Sequence, residues 1–356
     1  MKNFKVGKKI IGVNYPTYFI ADIASNHDGN LNRAKELIYL CAESGVDAAK
    51  FQNFEAHKIV SQIGFEKMKN KLSHQAQWKK SIYEVYQDAS IKTDWTPILK
   101  ETCQKAGVEY FTSPYDFNSV DHVNPYVNMY KIGSGDITWM EIIDYIAKKE
   151  KPVIIATGAS SLEDVKRAMN VLLKRTNKIV LMQCNTNYTA SLENFKYINL
   201  NVLKTYIKLF PQTILGLSDH TLGHATVLGA VALGARVVEK HFTDNNDRVG
   251  PDHTFSMTPK TWKEMVERTR ELENALGDGN KKIEGNEMQS VVVQRRSLRA
   301  TKNMHIGKTI MIGDIEPLRP IPSDGIAPYE INLIIKKRLI KPLKKGEHIT
   351  WKHLIR

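Results

Sequence analysis

The chain has 356 residues, of which 42% are apolar and 25% are charged. This composition is typical of a globular protein and excludes a disordered or collagen-like chain, while the length favours one large domain followed by a small one. The formal net charge is +13, so small anions, nucleic acid and membrane surfaces are all candidate partners.

The beginning of the chain predicts neither a signal peptide nor a membrane anchor. Residues 1–9 are basic, but the apolar stretch that follows is interrupted by Asn14, Pro16 and Asp22. This pattern indicates a strand, and the chain has no apolar run of about 18 residues that would form a transmembrane helix. The three cysteines are odd in number and lack CxxC spacing. We therefore expect a cytoplasmic protein without a disulfide framework or a zinc knuckle.

Strand-like and helix-like patterns alternate along most of the chain. Eight strands are predicted at residues 18–23, 47–51, 108–112, 129–132, 153–156, 179–183, 214–217 and 236–240. Helices are predicted at 32–44, 95–106, 139–149, 162–173, 200–210, 222–233 and 259–276. Eight such units predict a (β/α)8 TIM barrel of the α/β class over residues 1–280. An open doubly wound sheet is the alternative, which the absence of GxGxxG after the first strand disfavours.

Two segments depart from this rhythm. Residues 57–93 are long, polar and basic for a connection after a strand, and such loops in barrels usually cover the active site. The turn-forming residues 277–280 predict the end of the barrel, followed by a polar linker at 281–294. Residues 295–356 contain short β-prone runs separated by turns, which predict a small β-rich domain.

The basic charge is concentrated at the end of the chain. Residues 281–356 hold 16 Lys and Arg against 7 Asp and Glu, a net charge of +9. No aromatic-interleaved motif or zinc finger accompanies them, so a solvated basic face is favoured over nucleic-acid binding.

Polar residues follow the predicted strands at the ends where TIM barrels carry their chemistry. Lys50 and Lys131 lie inside apolar strand runs, and Ser134 follows in a glycine-rich turn. Lysine charges and backbone N–H groups suit a small dianion. The sequence therefore predicts an anion site, with surface lysines as the alternative.

Two histidines end consecutive predicted strands. His220 and His241 would bring two imidazoles within reach of one Mn²⁺, Zn²⁺ or Fe²⁺ ion, and two satisfied core histidines are the alternative. Glu239 is assigned to the face of its strand opposite His241, which leaves its role open.

Six segments together resemble the sialic acid synthase (N-acetylneuraminate synthase) family. They are IADIASNHDG at 20–29, AKFQ at 49–52, YKIGSGD at 130–136, LSDH at 217–220, VEKHFT at 238–243 and GPDH at 250–253. The tail from Arg295 resembles the antifreeze-like (SAF) domain that ends these synthases. The resemblance covers nearly the whole chain and is specific as a set.

The resemblance implies a transferase that condenses phosphoenolpyruvate (PEP) with an N-acetylmannosamine-type amino sugar. The product would be a nonulosonic acid of the sialic, legionaminic or pseudaminic type, and phosphate would leave by C–O cleavage. It implies a homodimer in which each tail covers the partner's barrel, and a divalent ion, Mn²⁺ ahead of Mg²⁺ or Co²⁺. The implied residues are Asp22, Glu239 and Asp252 for catalysis; Lys50, Ser113, Lys131, Ser134, Thr186 and Ser218 for PEP; Gln52, Tyr188 and Arg319 for the acceptor sugar; and His220 and His241 for the metal.

Several positions depart from the family pattern. Asp22 stands where the family has Glu, Thr189 follows Tyr188 where the family has Pro, and the motif at 319–328 is about two residues longer. These positions lie where the acceptor would bind, so the identity of the sugar stays open.

Two other functions fit parts of the pattern. A related barrel aldolase or 3-deoxy-sugar-phosphate synthase would use Lys50 or Lys131 as a Schiff-base amine. A non-catalytic anion- or nucleic-acid-binding protein would use the basic tail. The paired histidines and the SAF-like tail argue against the aldolase.

Overall fold

The computed structural model describes residues 3–68, 75, 78 and 80–355. The chain divides into two compact units, Met1–Gly277 and Asp278–Arg356. The division falls inside the turn-forming segment 277–280.

The first unit is built around eight parallel strands. A hairpin precedes them, formed by β1 (Asn3–Val6) and β2 (Lys9–Gly12). The eight strands are β3 (Tyr18–Asp22), β4 (Ala48–Asn53), β5 (Glu109–Pro114), β6 (Tyr130–Ile132), β7 (Val153–Ala156), β8 (Ile179–Cys184), β9 (Ile214–Asp219) and β10 (Ala235–His241). Their order is β5-β4-β3-β10-β9-β8-β7-β6, and the two end strands lie side by side. The predicted TIM barrel is confirmed.

Among the described residues, ten helices surround the strands and one more follows the last strand. They are α1 (Leu31–Glu43), α2 (Ala56–Ile59), α3 (Gln62–Met68), α4 (Ile82–Ala89), α5 (Trp95–Ala106), α6 (Phe117–Val123), α7 (Met140–Ala147), α8 (Leu162–Leu173), α9 (Val202–Leu209), α10 (Ala225–Ala232) and α11 (Pro259–Leu276). No described helix is long and apolar enough to cross a membrane.

Local sequence signals explain where these helices begin and end. Asn30 caps α1 by accepting from the N–H groups of Asn32 and Arg33, and Ser161 opens α8 with a capping box. Gly107 ends α5 with φ of 79°, a left-handed conformation that glycine adopts without strain. Such caps set the helix bounds independently of tertiary packing.

The segment 57–93 holds three helices rather than only a loop. They are α2, which begins just before it, α3 and α4, while residues 69–74, 76, 77 and 79 lie outside the described part of the chain. Ser81 and Glu84 form a capping box at the start of α4. Reading the segment by its composition alone missed this start signal.

The second unit has a small apolar core of its own. It contains α12 (Met288–Gln294), β11 (Ser297–Ala300), β12 (Ile315–Leu318) and α13 (Ile331–Ile334), and β11 pairs with β12 antiparallel. Single β-bridges join further short segments, such as Met304 with Leu343. The buried core includes Leu298, Ile310, Ile326, Ile334, Leu339 and Ile349. The predicted small β-rich fold agrees with this arrangement, although segment 281–294 ends in a helix.

Burial of His27 predicts an acid dependence of stability. The ring is fully buried against Trp95, its Nδ1 accepts from the Gly29 N–H at 3.1 Å, and burial lowers its pKa to about 4. The unfolded chain takes up a proton near pH 6.5 but the folded chain only near 4, so the free energy of unfolding decreases as pH falls between these values. The full effect is about 3 kcal/mol.

We expect His27→Asn, which cannot be protonated, to flatten this part of the stability profile. Urea unfolding of the unaltered protein and of the variant at pH 7 and pH 4.5 measures the change in the free energy of unfolding of each. Contributions from groups that titrate in both proteins cancel in the comparison. Parallel pH profiles would contradict the prediction.

Candidate active site

Buried polar side chains converge at the carboxyl ends of the barrel strands. Asp22 ends β3, Lys50 lies in β4, Lys131 in β6 and Ser218 in β9, and all are at most 4% exposed. Parallel strands in a barrel present these ends at one face. The sequence-predicted residues of these four strands therefore meet there.

Two lysines and two carboxylates form the centre of this site. Lys50 Nζ lies 2.5 Å from Asp22 Oδ2 and 3.8 Å from Glu239 Oε1. Lys131 Nζ donates to the same Glu239 oxygen at 2.9 Å, and Ser218 Oγ donates to it at 3.3 Å. The other oxygen, Glu239 Oε2, is buried without a hydrogen-bond partner in the described structure. One carboxylate thus links both lysines and retains an unused acceptor.

The pairing keeps Lys50 and Glu239 charged despite their burial. Burial lowers the pKa of Lys50, but the carboxylates of Asp22 and Glu239 raise it by more, so the net shift is upward. Burial raises the pKa of Glu239, and the ammonium groups of Lys131 and Lys50 bring it down to about 2. Lys50 is therefore a cation and Glu239 an anion at neutral pH.

The expected orientation of Glu239 is wrong. Glu239 and His241 are two residues apart in β10 and lie on the same face, since side chains alternate along a strand. His241 Nε2 lies 3.6 Å from Asp22 Oδ2, and Asp22 is also paired with Lys50. Lys50 lies 3.8 Å from Glu239, so His241 and Glu239 both face this cluster. The intervening Lys240 takes the opposite face, where it pairs with Asp219.

The loop after β10 brings a third carboxylate to the site. Asp252 Oδ2 accepts from Ser25 Oγ at 2.5 Å and from the Ser25 N–H at 3.2 Å, and it lies 3.9 Å from His241 Nδ1. Asp28 holds the same loop through His253 Nε2 at 2.9 Å. The loops after β3 and β10 are therefore joined directly at the site.

His220 and His241 lie side by side, with ring centroids 5.3 Å apart. His220 Nδ1 is 2.7 Å from the Asn185 carbonyl oxygen, so it carries the proton and leaves the Nε2 lone pair open. Burial and then the neighbouring His241 lower the pKa of His220 to about 3, so the ring is neutral. His241 Nδ1 is buried and has no hydrogen-bond partner among the residues that the structure describes.

These two imidazoles fit the predicted divalent cation. The neutral His220 ring offers its Nε2 lone pair, the form that binds a metal ion, and the His241 ring lies beside it. In the described part of the chain, however, no group of three or more His, Cys, Asp or Glu side chains is arranged as a metal site. The remaining ligands of an ion held by His220 and His241 would have to be water and substrate.

An aromatic wall surrounds the histidines. The Tyr188 ring lies 4.4 Å from that of His220, and the Phe255 ring lies 4.9 Å from that of His241. Tyr188 and Phe255 are 5.3 Å apart, and burial raises the pKa of Tyr188 well above its usual value. Tyr188 was predicted for this site and Phe255 was not.

A polar cradle forms where β6, β7 and β8 end. Ser134 Oγ accepts from the Gly158 N–H at 2.9 Å, and a methyl group on Gly158 would lie 2.4 Å from Thr186 Cγ2 and 3.1 Å from Cys184 Sγ. Ser113 Oγ, at the end of β5, is buried and lacks a hydrogen-bond partner in the described structure. The residues predicted to hold an anion are thus packed so closely around Gly158 that no larger side chain fits there.

A cavity of about 160 Å³ opens beside these residues. Its lining includes four predicted site residues, namely Gln52, Tyr188, His241 and Asp252. Tyr86 of α4 also lines it, so segment 57–93 contributes to the wall of the site as the sequence suggested. A second cavity, of about 280 Å³, lies on the other side of Tyr188 and is lined by Asn185, Thr186, Asn187 and Thr189.

Comparison with known proteins identifies the family. The model of the NeuB family matches residues 37–281, and that of the SAF domain matches residues 295–355. The chain belongs to the NeuB family. The SAF match covers the small C-terminal fold that the tail sequence resembled.

Named relatives in the NeuB family are nonulosonic acid synthases. The N,N'-diacetyllegionaminic acid synthase of Legionella pneumophila is 35% identical over 98% of this chain and 97% of its own. The N-acetylneuraminate-9-phosphate synthase of Homo sapiens is 30% identical over 93% of this chain and 90% of its own. The solved N-acetylneuraminic acid synthetase of Leptospira borgpetersenii has a TM-score of 0.70 at 26% identity, covering 81% of this chain and 95% of that one.

Two further charged residues of this NeuB-family chain are Asp136 and Arg319. Burial raises the pKa of Asp136, which follows the Ser134 turn, to about 6, and sequence reasoning did not single it out. Arg319 directly follows β12 in the second unit and is exposed. Its predicted role, and the predicted homodimer, stay predictions.

Proposed function

We propose that this protein condenses PEP with an N-acetylmannosamine-type amino sugar, giving a nonulosonic acid and inorganic phosphate. The observation that carries the proposal is the buried cluster of Lys50, Lys131, Asp22 and Glu239. It offers two ammonium groups to an anion and two carboxylates to a developing cation in a site closed to bulk water.

The cradle supports PEP as the anion. PEP carries a phosphate and a carboxylate, and Lys50 and Lys131 supply one positive charge near each. Hydroxyl groups around them come from Ser113, Ser134, Thr186 and Ser218, and the Ser113 oxygen is buried without a partner in the described part of the chain. Such contacts act mainly by holding the reacting carbon against the acceptor.

In the proposed reaction, carbon 3 of PEP attacks the aldehyde carbon of the sugar and forms the new C–C bond. The aldehyde oxygen gains a proton and becomes a hydroxyl group, while positive charge develops at carbon 2 of PEP. Asp22 and Glu239, both ion-paired and buried, stabilise that charge. Water adds to carbon 2, and the C–O bond to phosphate breaks to leave the keto acid. The two protons of this water balance the proton taken up by the aldehyde oxygen and the proton that leaves with the phosphate.

Asp252, Gln52 and Tyr188 would orient the acceptor, since all three line the cavity beside His241. A divalent ion, Mn²⁺ ahead of Mg²⁺ or Co²⁺, would be held by His220 and His241, and it would polarise the aldehyde oxygen as a Lewis acid. Ser25 holds the Asp252 carboxylate toward this cavity.

The proposal is tested with PEP carrying ¹⁸O in the oxygen that bridges carbon 2 and phosphorus. The purified full-length protein is incubated with it and a panel of amino-sugar aldehydes that differ in N-acyl pattern, 6-deoxy status and phosphorylation. We expect phosphate release with at least one acceptor, and we expect the label in the phosphate. Label retained in the sugar product, or no phosphate with any acceptor, would overturn the proposal.

A Schiff-base aldolase is the second candidate, and the site disfavours it. A lysine nucleophile needs a lowered pKa or a neighbouring base that frees its amine. Carboxylates instead raise the pKa of Lys50, and Glu239 pairs with Lys131 at 2.9 Å. Borohydride treatment with pyruvate should therefore leave no covalent adduct on either lysine.

Gly158 offers a test of the PEP cradle. In Gly158→Ala the added methyl group would lie 2.4 Å from Thr186 Cγ2 and 2.9 Å from Ser134 Oγ, so both neighbours must move. Overpacking of this kind costs about 1–3 kcal/mol, and we expect the KM for PEP to rise by about 10-fold or more. Steady-state kinetics with varied PEP measure it.

The matched control is Gly135→Ala in the adjoining turn, where an added methyl group meets nothing within 4 Å. That variant should keep the KM of the unaltered protein. Equal KM values for both variants would remove Gly158 from the cradle.

A further inference from the structure

A buried ion pair joins the ends of β9 and β10 on the face that the candidate active site does not use. Lys240 Nζ bonds to Asp219 Oδ2 and to the Thr221 carbonyl oxygen, the latter at 2.6 Å. Asp219 also accepts from Thr221 Oγ1 at 2.9 Å and from Thr226 Oγ1 at 2.7 Å. Both charged side chains are at most 1% exposed, and Thr226 belongs to α10. The pair therefore lies between the barrel and its helix layer.

The two residues of this pair alternate with residues of the site. Asp219 stands between Ser218 and His220, and Lys240 stands between Glu239 and His241. Asp219 and Lys240 are direct partners in the strand register, and so are Ser218 and Glu239. Because neighbouring side chains of a strand point to opposite faces, the register that joins Asp219 to Lys240 also sets Ser218 against Glu239.

This register has to be specified, because β10 contains an irregularity just before it. Ala235 pairs with Leu215 but Val237 pairs with Gly216, so β10 has one extra residue at Arg236. Without that extra residue, every later side chain of β10 would face the other way. The ion pair lies three residues beyond Val237 and fits only the bulged register.

Stability alone does not account for a charged pair at this place. Replacing a buried ion pair with well-packed apolar residues is often neutral or stabilising by about 1–4 kcal/mol. Apolar side chains, however, would pack in either register with similar energy. An ion pair that also bonds to the Thr221 carbonyl oxygen, Thr221 Oγ1 and Thr226 Oγ1 fits only one register.

We propose that Asp219 and Lys240 are positioning residues that lock the register of β9 and β10 and thereby place His220 and His241. They touch no substrate and act from behind the two strands. For catalysis the inference rests on the proposed function, but the placement of the two imidazoles does not depend on it.

The test is the double variant Asp219→Leu with Lys240→Met, which removes both charges and leaves no unpaired ion. We expect a melting temperature close to that of the unaltered protein. We expect the imidazole ¹⁵N–¹H resonances of His220 and His241 to shift or broaden in histidine-labelled protein, while those of His27 and His253 stay in place. We also expect kcat to fall by about 100-fold, the loss that misplacement by about 1 Å brings.

The matched control replaces the Lys100–Glu109 pair, at the amino end of β5, with Lys100→Met and Glu109→Leu. It should leave the resonances of His220 and His241 and the turnover unchanged. If the Asp219/Lys240 double variant does not fold, Thr226→Val is used instead. It removes the 2.7 Å bond to Asp219 and the 3.0 Å contact with Thr221 Oγ1 but keeps both charges, and it should shift the same two imidazoles by less.

The inference would be overturned if the imidazole resonances of His220 and His241 did not shift in the folded double variant. If that variant does not fold, unshifted resonances in Thr226→Val would overturn it. The NMR measurement needs neither substrate nor metal. An unaltered protein that releases no phosphate with any acceptor would remove the proposed function and still leave the register test decisive.

Discussion

Lys131→Ala is expected to raise the KM for PEP and to lower kcat, because the variant loses both a charge and a fixed contact in the anion site. Lys131 supplies the 2.9 Å bond to Glu239, and without it the nearest ammonium group to that oxygen is Lys50 at 3.8 Å. Removing one preorganised donor from an active site typically lowers kcat by about 100- to 1,000-fold, so kcat/KM should fall by at least about 100-fold. Steady-state kinetics with varied PEP measure the change.

The control for this variant is Lys166→Ala, which removes an exposed lysine that pairs with Glu163 on α8. Exposed pairs contribute little, so its kinetics should match those of the unaltered protein. A normal response to PEP in Lys131→Ala would show that the lysine is structural only.

His220→Ala is expected to abolish binding of the divalent ion and turnover while the fold survives. The ring packs against Tyr188 and Phe255, and among the described residues it hydrogen-bonds only to the Asn185 carbonyl oxygen, so the barrel loses little when the ring is removed. Loss of an outer-shell partner already reduces metal affinity by about 10–100-fold, and loss of a ligand should exceed this. Metal content after gel filtration, together with circular dichroism, measures both outcomes.

His57→Ala is the matched control, since this histidine is 61% exposed on α2. It should retain the metal content of the unaltered protein. Full turnover of the unaltered protein after exhaustive chelation would contradict the metal assignment altogether.

The barrel was predictable because each of its strands is a continuous apolar run that can be recognised without its neighbours. All eight apolar runs became strands, and the bounds of α5, α8 and α11 coincide with the predicted ones. Fully buried parallel strands appear as continuous apolar runs, and helices with clear caps have sharp ends. The hairpin β1–β2 and the seven-residue helix α6 were missed because each is too short to show a period.

The site was predictable only where its residues lie on strands. Lys50, Lys131, His220 and His241 follow from the rule that barrel chemistry lies at strand ends. Ser25 and Phe255 do not, because each reaches the site through a loop whose path depends on contacts distant in sequence. Ser25, for example, bonds to a residue 227 positions away, and no local pattern encodes such a pair.

The error over Glu239 has a different origin. The alternation of side chains along a strand was sufficient to place it on the face of His241, and the rule was misapplied to residues two apart. The same alternation places Asp219 and Lys240 together on the outer face, where the structure finds them paired.

Lys50 and Lys131 are matched by Asp22 and Glu239, so the two carboxylates act as internal counterions of the two ammonium groups. In the proposed function, an entering anion would have to displace these carboxylates. Its gain in free energy would then be the difference between two sets of ion pairs rather than the whole of one. Neither ammonium group would be left without a counterion during the exchange, which would moderate affinity and let the bound anion leave again.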